Sequence, residues 1–134
     1  MSHRLRVENV GRRLVLGVDD DPLIVGFLGT VIRTRNFIFT GAESASAALP
    51  VIQNDRPDLI FLDLNMPEMN GLEFCRQLRE EMPDYHAPII FLTANHDENT
   101  VRDAIKAGGN DYIVKPVVPQ NILDRLERWL PNEG

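Results

Sequence analysis

The feature that most constrains the fold of this chain is the alternation of five short apolar runs with segments whose apolar residues recur at helical spacing. Each run is bounded by turn-forming residues, which is typical of a buried β-strand. The predicted strands cover residues 14–18, 37–40, 59–63, 88–93 and 112–114. Strands that alternate with helices predict a parallel sheet with helices on both faces and right-handed crossovers. We therefore expect one α/β domain, for which 134 residues suffice.

Polar side chains that can carry chemistry follow four of these five predicted strands. Asp19 and Asp20 follow the first strand, Asp63 ends the third, Thr93 ends the fourth, and Lys115 follows the fifth. The carboxyl ends of parallel strands lie at one edge of a sheet, where ligands of open α/β sheets bind. A single polar residue at a strand end is usually only a loop or cap residue. Four strands that bring such groups to one edge favour a functional site.

The residue types at this edge indicate phosphoryl chemistry. Three neighbouring carboxylates repel one another, and a bound Mg²⁺ would relieve that repulsion while keeping positions for water and phosphate oxygens. Lys115 would supply a second positive charge. Asp63 could then attack phosphorus as a carboxylate nucleophile, and the Thr93 hydroxyl could donate to a phosphoryl oxygen.

Four separated motifs resemble those of the receiver domain of two-component response regulators. In chain order they are Val18-Asp-Asp-Asp-Pro22, Asp63-Leu-Asn-Met-Pro67, Leu92-Thr-Ala94 and Tyr112-Ile-Val-Lys-Pro116. The resemblance covers residues 13–130, which leaves an N-terminal tail at 1–12 and a C-terminal tail at 131–134. It implies a flavodoxin-like (βα)5 fold, doubly wound, with five parallel strands in the order 2-1-3-4-5.

The resemblance also implies how the site would hold Mg²⁺. Asp20 matches a direct ligand of the ion, and Asp19 matches an acid that holds it mostly through water. Asp63 and the backbone carbonyl of Asn65 match the remaining protein ligands. Mg²⁺ is therefore the expected cofactor.

A signalling role follows from the remaining matches. Asp63 matches the phosphoacceptor, Thr93 and Lys115 match residues that bind the phosphoryl group, and Tyr112 matches an aromatic residue that switches with Thr93. The resemblance implies that a histidine kinase or a histidine phosphotransfer protein donates the phosphoryl group. The surface of the fourth helix, fifth strand and last helix would then change and be recognised by a downstream protein. The chain would be a regulatory phosphoacceptor rather than an enzyme with an external substrate.

Two local features depart from the family pattern. Pro50 lies inside the predicted second helix, residues 44–54, and should kink or shorten it, because proline lacks an N–H and its ring clashes with the preceding turn. Val117 follows Lys115-Pro116, where many relatives have phenylalanine. The motif Lys115-Pro116 itself matches a position where the family often has a cis peptide bond. In the fourth helix, residues 99–107, we expect Val101, Ala104 and Ile105 to face the core.

Composition narrows the possible partners and the cellular location. A net charge of −6 argues against direct binding to nucleic acid or to an anionic membrane. Four arginines near the N-terminus are the exception and are interpreted as part of a solvated tail; they are Arg4, Arg6, Arg12 and Arg13. The single Cys75 cannot form an internal disulfide, and no apolar segment is long enough to span a membrane. A cytoplasmic monomer or weak dimer is expected.

Other classes of function remain open at this stage. An aspartyl-phosphate phosphohydrolase of the haloacid-dehalogenase type would need a second acid two residues after the nucleophile, where this chain has Asn65. A flavin carrier of the flavodoxin type would need a phosphate cradle after the first strand, where this chain has Asp19-Asp20-Asp21. A receiver-like module that works without phosphorylation is a further alternative. The chain could be a stand-alone response regulator or part of a longer protein.

Overall fold

The computed structural model describes residues 11–131, and within them it contains five strands that alternate with five helices. The strands are β1 Leu14–Val18, β2 Ile38–Ala42, β3 Leu59–Asp63, β4 Ile89–Thr93 and β5 Asp111–Val114. The helices are α1 Pro22–Arg33, α2 Ala45–Asp55, α3 Gly71–Glu81, α4 Glu98–Lys106 and α5 Pro119–Trp129. All neighbouring strands are parallel, in the order β2-β1-β3-β4-β5. The expected flavodoxin-like fold is therefore confirmed.

The sheet is covered by helices on both faces. One apolar cluster joins the sheet to α1 and α5, with Leu28, Ile32, Ile122 and Leu126 as fully or almost fully buried helix residues. A second cluster joins the opposite face to α2, α3 and α4. Because the three central strands are buried on both faces, every residue of β1, β3 and β4 is buried. Within the described residues, no helix is long and apolar enough to cross a membrane.

Local capping begins four of the five helices immediately after loops at the carboxyl edge of the sheet. Asp21, Ser44, Asn70 and Asp97 each accept a hydrogen bond from a backbone N–H in the first turn of the following helix. Proline begins α1 and α5, as expected for the first helical position. Four of the loops that follow the strands are therefore held by a short-range bond at the end where the helix begins.

The expectation that Pro50 shortens its helix is wrong, and a kink at Pro50 stays a prediction. Helix α2 continues through Pro50 to Asp55. The bond that proline cannot make would go to the carbonyl of Ser46, and both residues are exposed. Water can therefore satisfy that carbonyl, while Ala48 and Ile52 on the opposite face are fully buried.

The expectation that Ile105 faces the core is also wrong, because 65% of Ile105 is exposed. Helix α4 buries a narrow stripe in which Ala104 is only 5% exposed and the following Ala107 is 3% exposed. Ile105 lies about 100° around the helix from Ala104, so its side chain points away from that stripe.

The structure tests only part of the two proposed tails. Residues 1–10 and 132–134 lie outside the described residues, so the tail boundaries at 12 and 131 stay predictions. Arg12 and Arg13 are not simply solvated. Nη2 of Arg12 donates to the Phe37 carbonyl at 3.2 Å, and Nη2 of Arg13 donates to the Leu130 carbonyl at 3.0 Å.

Candidate functional site

Three carboxylates come together at the carboxyl edge of the sheet, as the strand order predicts. Asp19 and Asp20 follow β1, and Asp63 is the last residue of the neighbouring strand β3. One carboxylate oxygen from each lies within 4.8 Å of the others. Asp19 is fully buried and Asp63 is 2% exposed, whereas Asp20 is exposed. The edge therefore has a buried acidic floor and one acid that faces solvent.

The backbone around Asp63 is held from both sides. The N–H of Leu64 donates to the Leu92 carbonyl at 3.0 Å, which extends the pairing of β3 with β4. The N–H of Gly71 donates to the Leu64 carbonyl at 2.8 Å. A Cβ on Gly71 would lie 2.4 Å from the Asp63 carbonyl oxygen, so only glycine allows α3 to begin this close to the strand end.

Lys115 completes a compact ionic cluster with two of the acids. Its Nζ lies 3.2 Å from Asp19 Oδ2 and 3.3 Å from Asp63 Oδ1. The N–H of Lys115 donates to the Thr93 carbonyl at 2.7 Å, which ties the loop after β5 to the end of β4. The peptide bond between Lys115 and Pro116 is cis, as the resemblance implies.

The two oxygens of Asp63 have different environments. Oδ1 accepts hydrogen bonds from Lys115 Nζ and, at 3.2 Å, from the N–H of Asn65. Oδ2 accepts no hydrogen bond from any of residues 11–131. Asp63 therefore has one oxygen that is held in place and a second that can act as a nucleophile.

Burial and charge shift the titration of this cluster. Burial raises the pKa of Asp63 to about 6, and the neighbouring Asp19 adds to the increase, whereas the Asn65 N–H and Lys115 oppose it. Burial lowers the pKa of Lys115, but attraction to Asp63 and Asp19 outweighs burial, so this pKa is raised overall. At neutral pH the site therefore has charged lysine beside a mostly ionised Asp63.

The raised pKa of Asp63 predicts a pH-dependent stability difference between the wild type and Asp63→Asn in the presence of a chelator. The unfolded carboxyl loses its proton near pH 3.8, whereas the folded carboxyl keeps it until about pH 6. The wild type therefore loses stability relative to Asp63→Asn as pH rises through this window, by up to about 3 kcal/mol. Urea unfolding of both proteins between pH 4 and pH 8 measures the difference. A stability difference that is constant with pH would contradict the raised pKa of Asp63 in the folded protein.

The acidic cluster fits a small, hard cation. Asp19 Oδ1 is occupied by the N–H of Asp21 at 2.9 Å, but the buried Oδ2 of Asp19 accepts no well-directed hydrogen bond from the described residues. Together with Asp20 and Asp63, this oxygen belongs to an all-oxygen donor set of the kind that Mg²⁺ prefers. The Asn65 carbonyl stays a predicted ligand.

Thr93 lies at the end of β4, but its hydroxyl is turned toward its own loop. The side chain is 2% exposed; its Oγ1 donates to the Asn95 carbonyl at 2.7 Å and accepts from the Asn95 N–H at 3.0 Å. Donation to a phosphoryl oxygen would require Thr93 to give up the first of these bonds. A phosphoryl oxygen at the site would therefore compete with the Asn95 carbonyl for the Thr93 hydroxyl.

Tyr112 lies on the edge strand β5, next to β4 and two residues before the partner of Thr93. It pairs with Phe91 across the two strands, while Thr93 pairs with Val114. The ring of Tyr112 is half-buried against the apolar cluster under α2, α3 and α4. A cavity of about 110 Å³ beside it is lined by Val101, Ala104, Ile105 and residues 109–112. The ring therefore has space in which to change position.

Sequence reasoning missed a polar network between β5 and α5. Asp111 Oδ2 lies 3.1 Å from both Arg125 Nε and Arg128 Nη1, and it accepts from Trp129 Nε1 at 2.9 Å. The only sequence signal is the spacing of the three donors at one face of a helix. Their shared acceptor on a separate strand becomes visible only in three dimensions.

Comparisons with known proteins agree with this geometry. A family model described as "Response regulator receiver domain" matches residues 15–127. The DNA-binding response regulator MtrA of Mycolicibacterium smegmatis is 38% identical over 119 residues, which cover 89% of this chain and 51% of MtrA. This chain therefore spans about half the length of that curated relative.

Solved structures show the same fold over nearly their whole length. The chemotaxis protein CheY4 of Vibrio cholerae superposes with a TM-score of 0.84 and 28% identity, over 89% of this chain and 99% of CheY4. A putative response regulator from Chloroflexus aurantiacus superposes with a TM-score of 0.82 and 30% identity, over 90% and 99% of the two chains.

Proposed function

Because this chain belongs to the response regulator receiver domain family, we propose that Asp63 accepts a phosphoryl group from a histidine kinase or a histidine phosphotransfer protein. The observation that carries the proposal is the Asp63 carboxylate at its strand end, with Asp19, Asp20 and Lys115 around it. A buried acid surrounded by like charges and one lysine is costly for folding alone. A phosphoryl group would explain this arrangement, because it adds charged oxygen atoms that need positive charge beside them.

The proposed transfer follows from the two oxygens of Asp63. Oδ1 stays bonded to Lys115 and to the Asn65 N–H, while Oδ2 attacks phosphorus. An oxygen–phosphorus bond forms, the phosphorus–nitrogen bond to the donor imidazole breaks, and the imidazole leaves with the bonding electron pair. Lys115 offsets part of the charge on the transferred group. Asp19, Asp20, Asp63 and the Asn65 carbonyl would hold Mg²⁺, which supplies further charge neutralisation to the phosphoryl oxygens.

The proposed output runs through Thr93 and Tyr112. A phosphoryl oxygen offers the Thr93 hydroxyl a charge-assisted hydrogen bond, which is stronger than its neutral bond to the Asn95 carbonyl. Movement of Thr93 vacates space beside Phe91, and the Tyr112 ring can follow it inward. The surface formed by α4, β5 and α5 changes with this ring, and a downstream protein would recognise that surface.

A test of this output compares Thr93→Ala and Tyr112→Ala with the wild type in the presence of Mg²⁺ and beryllofluoride, a mimic of the phosphoryl group. Additional ring burial is worth about 1–2 kcal/mol, which corresponds to a roughly tenfold population shift. We expect wild-type backbone NMR shifts to change from Thr93 through α4 and β5. In both variants the changes should stay near Asp63. Equal changes throughout α4 and β5 in all three proteins would contradict this route.

The broader assignment is a regulatory domain that acts in the cytoplasm. Catalysis would be limited to the domain's own phosphorylation and dephosphorylation. We do not extend the DNA binding named for MtrA to this chain, because the match covers only about half of that protein. The net charge of −6 also disfavours direct nucleic-acid binding.

Transfer and turnover assays together separate this function from its alternatives. A histidine phosphotransfer protein that carries labelled phosphate should pass at most one phosphoryl group to each chain, in the presence of Mg²⁺. A phosphohydrolase would instead release phosphate from many small esters per chain. A receiver that works without phosphorylation would accept no label, even from several donors and from small phosphodonors.

A further inference from the structure

Arg79 in the last turn of α3 connects segments at the edge of the sheet opposite the acidic site. Its Nη1 donates to the Tyr85 carbonyl at 3.2 Å, and its Nη2 donates to the Ala87 carbonyl at 2.9 Å. Its Nε donates to the Gly108 carbonyl at 3.1 Å, and Nη2 also reaches Asn110 Oδ1 at 3.0 Å. One guanidinium thus joins α3 to the loop before β4 and to the turn between α4 and β5.

The turn between α4 and β5 is fitted closely around Arg79. Gly108 has φ of +103°, and a Cβ there would lie 2.6 Å from Arg79 Cγ. Asn110 links Arg79 to the sheet, because its Oδ1 also accepts a hydrogen bond from the Ile89 N–H at 2.9 Å. The Asn110 N–H donates to the Ile89 carbonyl at 2.8 Å. Arg79 therefore supports the first contact between β4 and β5.

The two ends of α4 are held very differently. At its C-terminal end, Ala104 and Ala107 are nearly fully buried, and the turn that follows is bonded to Arg79. At its N-terminal end, residues 94–99 are all exposed. The hydrogen bonds of Asp97 that begin the helix are local, to Thr100 and Asn95. Segments with few buried contacts open most easily, so the first turns of α4 are the mobile end.

We propose that Arg79 is a positioning residue that fixes the end of α4 and the start of β5 to α3. A change at Thr93 then reaches α4 through residues 94–97 and moves its first turns about an immobile end. The inference rests on the proposed function, because it states how the same switch is delivered to the surface of α4, β5 and α5. Charge-assisted bonds suit this task, since they hold their geometry better than neutral ones.

Hydrogen exchange of Arg79→Met tests the fixed end without any phosphoryl group. We expect the amides of residues 107–110 to exchange about tenfold faster than in the wild type, because the turn loses its side-chain support. Arg76→Met is the matched control. Arg76 lies one turn earlier on α3, is exposed, and makes no side-chain hydrogen bond or ion pair within residues 11–131. Wild-type exchange at the turn in Arg79→Met would overturn the proposal.

A second comparison adds Mg²⁺ and beryllofluoride and measures where exchange changes. In the wild type and in Arg76→Met, the changes in exchange between residues 94 and 110 should be confined to 94–102. In Arg79→Met they should extend through residues 103–110. Loss of stability alone would raise exchange equally with and without the mimic, so it would not move this boundary. Changes confined to 94–102 in Arg79→Met would overturn the proposal.

The experiment still tests Arg79 if the variant does not fold or if the wild type does not respond to the mimic. If Arg79→Met does not fold, Asn110→Ala takes its place, because it removes the link from Arg79 to Ile89 and should loosen the same turn. An unchanged turn in that variant would overturn the proposal. If the wild type shows no change in α4 with the mimic, the proposed switch fails, while exchange at the turn without the mimic still decides the role of Arg79.

Discussion

Replacement of Asp63 by asparagine is expected to abolish phosphoryl acceptance. The amide oxygen of asparagine is a poor nucleophile and carries no charge, whereas the wild-type carboxylate lies 3.3 Å from Lys115 Nζ and is mostly ionised above pH 6. With a small phosphodonor and Mg²⁺, intact-mass measurement should show one added phosphate on the wild type. We expect the yield of phosphorylated protein to be lower for Asp63→Asn than for the wild type by at least about 100-fold. The wild type in excess chelator should fall toward the same level.

The control for this experiment is Glu68→Gln. Glu68 lies in the loop directly after β3, is exposed, and accepts from the Ser46 hydroxyl at 3.2 Å. Loss of its charge removes an acid close to the site in sequence but outside the acidic cluster. Glu68→Gln should accept phosphate as the wild type does. One added phosphate on Asp63→Asn, or an equal yield in chelator, would contradict the assignment of Asp63 and its metal dependence.

Removal of Asp20 is expected to eliminate stabilisation by Mg²⁺ while raising the stability of the metal-free protein. A ligand at 100 times its Kd stabilises the folded state by about 2.7 kcal/mol, which moves the Tm of a domain of this size by several degrees. Asp20→Asn removes one of the three carboxylates proposed to hold the ion and also relieves repulsion from Asp19 and Asp63. Thermal melts with Mg²⁺ and with chelator should show a large metal-induced shift in Tm for the wild type and almost none for Asp20→Asn.

Glu43→Gln is a matched variant for the metal experiment. Glu43 directly follows β2, so it lies at the same edge of the sheet and is exposed like Asp20, but it does not belong to the acidic cluster. Glu43→Gln changes the net charge by the same amount as Asp20→Asn. Glu43→Gln should keep the full metal-induced shift. If Asp20→Asn keeps that shift too, then Asp20 is not a ligand of the ion.

The amino-acid sequence alone was sufficient to predict the order of strands and helices and the edge at which the site lies. Apolar runs such as 59–62 are short and continuous, because a strand buried on both faces has no polar side. Once such strands are parallel, the polar residues that follow them must share an edge. That Asp19, Asp63 and Lys115 lie close together could therefore be predicted without any measured distance.

Helix faces were predicted less well, because apolar spacing does not say how wide the buried stripe of a helix is. Ile105 fits the apolar pattern of α4, yet the helix buries little beyond two alanines and leaves Ile105 65% exposed. The shortening expected at Pro50 was wrong for a different reason. Whether a missing N–H costs stability depends on whether the carbonyl opposite it reaches water, and here Ser46 is exposed.

Only the tertiary structure decided which polar side chains far apart in the chain become partners. Arg79 reaches Asn110, 31 residues away, and Asp111 is shared by Arg125, Arg128 and Trp129 of another element. The sequence by itself determined the strands, the helices and the acids that end the strands, since these follow from local periodicity and from the geometry of a parallel sheet. Hydrogen bonds between loops depend on packing distances of a few tenths of an ångström, and those distances exist only once both faces of the sheet are filled.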